Sequence, residues 1–140
     1  MLIYILKDLL EFNGLKYIEK DGGVQLALLC GEHRLEIVFK QNGVDILCCY
    51  IRYPWKISEN SLSGILRPVN EKNASLSLGS FMVSGNRLIF RCGAYICDEY
   101  TARESIYDLF VRSAATADGA WNYFAAALAV RNGDGEKNER

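Results

Sequence analysis

Residues 15–53 read LKYIEKDGGVQLALLCGEHRLEIVFKQNGVDILCCYIRY, and two tight-turn signals inside them decide the fold. They are Asp21-Gly22-Gly23 and Asn42-Gly43. A third, Ser84-Gly85-Asn86, lies further along. Such pairs supply the positive φ angles that antiparallel hairpins need. The stretch therefore predicts a four-strand meander near 15–20, 24–30, 34–41 and 44–53. The third strand alternates cleanly: Leu35, Ile37 and Phe39 point one way, and Arg34, Glu36 and Lys40 point the other. One face is thus buried and one is wet. The fourth strand differs. Leu47, Cys49, Ile51 and Tyr53 form one apolar face, and Ile46, Cys48 and Tyr50 make the opposite face largely apolar too. A strand of that kind is covered on both sides or meets a partner.

Working outward, Leu2, Ile5, Leu6 and Leu9 mark a helix over 2–13, with Gly14 placed for a left-handed C-terminal cap. Pro54 is expected to end the fourth strand. Ser58 is the candidate N-cap of the next helix, with Glu59 in its first turn. That helix runs through Leu62, Ile65 and Leu66 and continues past Pro68 to about Asn73. A kink is expected near 64–68, where Gly64 leaves room for the proline ring. Strands near 78–83 and 86–92 form a last hairpin. Thr101-Ala102-Arg103-Glu104 has the capping-box form and opens a helix from about 100 to 131. This helix carries Ile106, Phe110, Ala117, Trp121, Phe124 and Leu128, and Asp118-Gly119 is its weak point. Ala114, Ala117, Ala125 and Ala129 would let it lie close against the second apolar face of strand 44–53.

These elements make one α+β domain over 1–131, with a mostly antiparallel sheet in the order helix, four-strand meander, helix, hairpin, long helix. Residues 132–140, NGDGEKNER, have nothing to bury and read as a disordered tail. The composition agrees with a globular domain: 140 residues, 50% hydrophobic and 24% charged. The net charge is −1 and no two Lys or Arg adjoin, which argues against a nucleic-acid surface. No apolar run approaches the roughly 20 residues that span a bilayer. The N-terminal residues lack the marks of a signal peptide, so the cytoplasm is the expected compartment. The five cysteines, Cys30, Cys48, Cys49, Cys92 and Cys97, then read as reduced, metal-free thiols.

The order of elements, together with Leu9-Leu10, Gly14-Leu15-x-Tyr17 and Leu66-x-x-x-Asn70-x-x-Asn73, resembles the bacterial YbjN-like family. The resemblance covers about residues 2–130 and departs from the family pattern at Pro68. It implies the α+β fold of type III secretion chaperones. It also implies a sensory or regulatory role, through dimerisation or binding of extended protein segments, and no reaction.

No residue set spells out chemistry. His33, the sole histidine, sits between Glu32 and Arg34 and reads as a solvated hairpin residue. A Cys–His hydrolase would need a cysteine such as Cys30 brought against it, and no elbow or oxyanion loop accompanies the pair. Cys48 and Cys49 point to opposite faces of one strand and cannot share a site. Cys92 and Cys97 lack zinc-knuckle spacing. Asp98, Glu99 and Glu104 read as helix-start charges. Asn70 and Asn73 read first as cap and turn residues, and second as ligand contacts. Ile46, Cys48, Tyr50, Trp55, Asn70 and Asn73 are the candidate binding residues. The expected function is a non-enzymatic module without cofactor, binding a protein segment or a second copy and neither nucleic acid nor membrane. The alternative is an enzyme or small-ligand binder. A pocket joining His33 to a cysteine or carboxylate would favour that alternative. An exposed apolar groove without titratable groups would favour the binding module.

Overall fold

Asp21 and Gly22 both adopt positive φ, 52° and 75°, and turn the three-residue strand β1 (Ile18–Lys20) into β2 (Gly23–Cys30). A two-residue turn at Gly31-Glu32 leads to β3 (His33–Gln41), and the Asn42-Gly43 loop leads to β4 (Ile46–Lys56). The last hairpin pairs β5 (Ser80–Ser84) with β6 (Arg87–Tyr95). All pairings are antiparallel, and the six strands lie in the order β1-β2-β3-β4-β6-β5. This computed structural model describes residues 1–129, so the tail expected over 132–140 lies outside the described residues.

Helix α1 (Leu2–Phe12) buries Leu2, Leu6, Leu9 and Leu10. Its end is closed by backbone bonds from Gly14 to Glu11 and from Leu15 to Leu10, with Gly14 at φ 70°. Helix α2 (Glu59–Ser75) runs unbroken through Pro68. It buries Ser61, Gly64, Ile65 and Val69, and turns Leu62 and Leu66 outward. Helix α3 (Glu99–Gly119) is followed, after a break at Ala120, by a helical segment over 121–129. The expected weak point at Asp118-Gly119 is the last turn of α3, immediately before that break.

Several local readings are corrected. Residues 15–17 precede β1. Pro54 does not end β4: the β4–β6 register shifts between Arg52 and Lys56, and within that irregularity a proline with no N–H to offer is tolerated. Ser58 does start α2, but its hydroxyl donates to Ser61 Oγ and caps no backbone group. The cap of α3 is Asp98, whose carboxylate accepts from the Tyr100 N–H, and Thr101 lies inside the helix.

All the helices pack on one face of the sheet. Leu35, Ile37, Phe39, Leu47, Ile51, Tyr53, Leu88 and Phe90 are buried there against α1, α3 and segment 121–129. Fully burying each such side chain contributes about 1.5–3 kcal/mol before entropy is counted. Phe39 meets Phe110 edge-on at 5.5 Å, and the Tyr53 hydroxyl donates to the Ala117 carbonyl. The last helix therefore covers the Leu47–Tyr53 face of β4 and leaves the Ile46–Tyr50 face alone. Among the described residues no helix lies over that second face.

Candidate functional site

Strand alternation builds the open face. Two rows of side chains cross it. One runs Ile18, Gln25, Val38, Tyr50 and Arg91, and the other runs Ala27, Glu36, Arg52, Ile89 and Met82. An open groove of about 700 Å³ lies over these rows, walled on the β1 side by Lys16, Tyr17 and Ile18. Its floor mixes aliphatic and charged groups. Glu36 and Arg52 pair across the strands at 2.6 Å, half exposed, so the pair adds little stability. Arg91 stands over the Tyr50 ring, 5.8 Å from its centroid.

Of the six candidate binding residues, the structure brings three together. Ile46, Cys48 and Tyr50 share the open face, with Ile46 exposed, Tyr50 half-buried and Cys48 buried beneath its neighbours. Gly93 lies opposite Cys48, where a Cβ would sit 3.5 Å from the sulfur, in ordinary contact. Trp55 lies on the helix side, stacked on Tyr53 at 4.8 Å and edge-on to Trp121 at 4.7 Å. Asn70 is exposed on α2. Asn73 does something the sequence reading missed. Its amide donates to the Phe81 carbonyl and accepts from the Phe81 N–H, at 2.9 and 2.7 Å. The side chain thus pairs with the outer edge of β5 as a neighbouring strand would, and occupies edge groups otherwise open to another chain.

His33 also needs correction, because it is not a freely solvated hairpin residue. Its ring stacks on Trp121 at 4.2 Å, and Nδ1 lies 2.7 Å from Asp118 Oδ1. The carboxylate can only accept, so Nδ1 carries the proton. Cys30 is the register partner of His33 across the hairpin. A histidine oriented by a carboxylate beside a cysteine has the outline of a catalytic group. Its electrostatics run the other way. Burial, and then the Asp118 charge, push the Cys30 thiol up, whereas a nucleophilic cysteine needs its thiolate favoured. Among the described residues no hydrogen bond links Cys30 to His33. The constellation ties the β2–β3 turn to the end of α3, a contact across 85 residues of sequence that no local spacing announces.

The remaining cysteines sit in β4, in β6 or just after β6. Cys49 and Cys92 are register partners under α3, near the buried Ser113 hydroxyl. Burial pushes the Cys49 thiol up to about 12. Among the described residues no three His, Cys, Asp or Glu side chains are grouped as a metal site would require. No described helix is long and apolar enough to cross a membrane.

No family model matches the sequence, and no curated protein matches it. The fold does have a solved counterpart. The crystal structure of YbjN from E. coli, described as a "putative transcription regulator", superposes with a TM-score of 0.66. It covers 90% of this chain and 88% of its own, at 10% identity. The likeness at that identity is one of fold, and it agrees with the YbjN-like α+β architecture expected from the sequence.

Proposed function

We propose that this chain is a non-enzymatic binding or regulatory module of the bacterial cytoplasm, whose working surface is the open face of its sheet. The observation that carries the reading is the asymmetry of β4. One side is sealed by α3, and the other presents Tyr50 and Arg52 to a groove with no covering element among the described residues, with Ile46 exposed further along the same face. Exposed surface with an apolar component and a polar rim is the form that interaction sites take. The regulator label carried by its fold neighbour YbjN supports the same class of role. The occupant is a protein segment or a second copy of the chain.

The His33–Asp118 pair favours a second reading, a small-ligand or catalytic site at the β2–β3 turn. Two things weigh for the first. The imidazole face is taken by Trp121, and burial and the Asp118 charge push the neighbouring thiol up, against the thiolate a nucleophile needs. In the open groove the one carboxylate, Glu36, is already paired with Arg52, and no histidine or cysteine lines it.

Capture from native extract, with light scattering for the oligomeric state, tests the proposal when wild type is run beside Tyr50→Asp. Loss of a captured partner or of a dimer in a variant that still folds supports it. A wild type that stays monomeric and captures nothing contradicts it, as does a variant with unchanged partners.

A further inference from the structure

The sequence scatters its cations, and the fold collects them. Lys20, Arg34, Lys40, Arg52 and Arg91 all occupy open-face positions, and Lys16 lines the groove beside them. Each is separated from its neighbours in sequence, so no basic run exists. The period of two along a strand, combined with the antiparallel register, puts them on one surface. Glu36 is the only carboxylate at an open-face position of the described strands, and it is already paired with Arg52. The whole chain carries a net charge of −1, so this face is cationic against an acidic remainder.

The cations are interleaved with apolar groups. Around Tyr50 stand Arg91 across on β6, Arg52 two residues along β4 and Lys40 diagonally on β3. Between them lie Val38 and Ile89. Along β3 the open-face side chains run Arg34, Glu36, Val38 and Lys40, at the roughly 7 Å spacing of alternate residues in an extended chain. A ligand with the same spacing could set carboxylates against the cations and apolar groups against the aliphatic floor.

We propose that the open sheet face binds an extended protein segment that presents carboxylates and apolar side chains together on one side. This inference rests on the open face being the working surface, and it names the chemistry of the occupant. Two other occupants fit less well. A second copy docked by this face would set like charges against each other, which disfavours association. A single-stranded nucleic acid needs bare aromatic platforms for its bases. Here Arg91 stands over Tyr50, the Tyr17 hydroxyl is held by Glu11, and the rest of the groove floor is aliphatic, polar or charged. Tyr95, exposed opposite Ile46, lies outside the groove as a single ring with its hydroxyl on Asp45, and one ring gives no row of platforms for successive bases.

The test is fluorescence anisotropy of the full chain with three labelled peptides of about 12 residues, roughly 40 Å when extended. One repeats Glu-Ser-Leu-Ser, one Lys-Ser-Leu-Ser and one Gln-Ser-Leu-Ser. Poly-dT of similar length is a fourth probe. The Glu peptide is expected to bind at least tenfold tighter than the Lys and Gln peptides, and more weakly as salt screens the face. Lys40→Glu with Arg91→Glu should weaken it at least tenfold. Arg67→Glu with Arg112→Glu, on α2 and α3, should change it less than twofold. If the reversal variant fails to fold by circular dichroism, Lys40→Gln with Arg91→Gln replaces it, with at least a threefold loss expected. Equal affinity for the Glu and Lys peptides would overturn the proposal. So would insensitivity to the Lys40 and Arg91 changes, tighter binding of poly-dT, or a dimer that Tyr50→Asp dissociates. Binding of the Gln or Lys peptide that Tyr50→Asp abolishes would overturn the charge assignment and leave the open face as a binding surface. Binding of no probe, with no partner captured from extract, would overturn both.

Discussion

Cys48 and Cys49 are neighbours in sequence on the central strand β4, and they face different worlds. Cys49 lies under α3, beside Cys92 and Ser113, with its thiol pushed up to about 12 by burial. Cys48 is just as hidden, but under the side chains of the open face, with Gly93 across from it and Arg91 close by. The same contrast holds for Ile51 and Tyr50. The helix side is a packed interior where each group is fixed by a second element. Among the described residues, the open side is covered only by its own side chains. Hydrophobicity alone does not separate the two sides of β4. What separates them is whether a helix has been spent on the surface.

The largest expected effect comes from placing a charge on each side in turn. Ile51→Asp puts an unpaired carboxylate where the native side chain has no exposure, and it should unfold the domain, a loss of about 4 kcal/mol or more. Tyr50→Asp should cost only about 1 kcal/mol, mainly the lost contact with Arg91. Urea midpoints of the two variants give the comparison directly. Similar losses would mean that both sides are core.

On the covered side, Tyr53→Phe removes the hydroxyl that satisfies the Ala117 carbonyl near the end of α3. Stability should fall by about 1–3 kcal/mol, and the same denaturant titration reads it. Gly64→Leu tests the other covering helix. Gly64 is buried and stands four residues before Pro68, so a large side chain should cost about 1 kcal/mol or more despite leucine's better helix propensity. A higher melting temperature would show that α2 has slack against the sheet.

The smallest effects are in thiol chemistry. Iodoacetamide should label exposed Cys97 first, half-buried Cys30 and Cys92 next, and Cys48 and Cys49 last. Arg91→Ala should raise the Cys48 rate severalfold and leave Cys49 unchanged, as mass spectrometry of the labelled peptides would record. Alkaline pH adds a check with a definite sign. The folded state holds the Cys49 proton more tightly than the unfolded state does. Its contribution to stability is therefore complete below about pH 9 and is lost as pH rises towards about 12. Cys49→Ala should flatten the decline of the guanidinium midpoint over that range.

Much of the fold was legible because glycine and asparagine turns carry their geometry locally. The meander, the last hairpin and the C-terminal cap at Gly14 are short-range statements, and each strand and turn stands close to its expected place. The misses have tertiary causes. Pro54 looked like a strand end, yet a register shift absorbs it inside β4. Thr101 and Glu104 had the right spacing for a cap, but Asp98 was better placed on the backbone entering α3. The His33–Asp118 contact and the grip of Asn73 on Phe81 join segments that no window of sequence compares. The open face was half legible. Apolar residues on both sides of β4 predicted a surface needing cover, with Ile46, Cys48 and Tyr50 on it. Its cations were missed because separation along the chain was taken for separation in space. Lys20, Lys40 and Arg91 lie far apart in sequence, and only the strand register assembles them.

If the open face is the working surface, then it, and not the helical face, is occupied when the protein works. Lysine footprinting in intact cells, set against the purified chain, reads this occupancy residue by residue. Lys16, Lys20 and Lys40 are expected to lose reactivity in cells, while Lys72, which lies over Tyr123 on the helical side, reacts as it does in the purified protein. Equal reactivity at all four positions in both settings, or protection confined to Lys72, would contradict it.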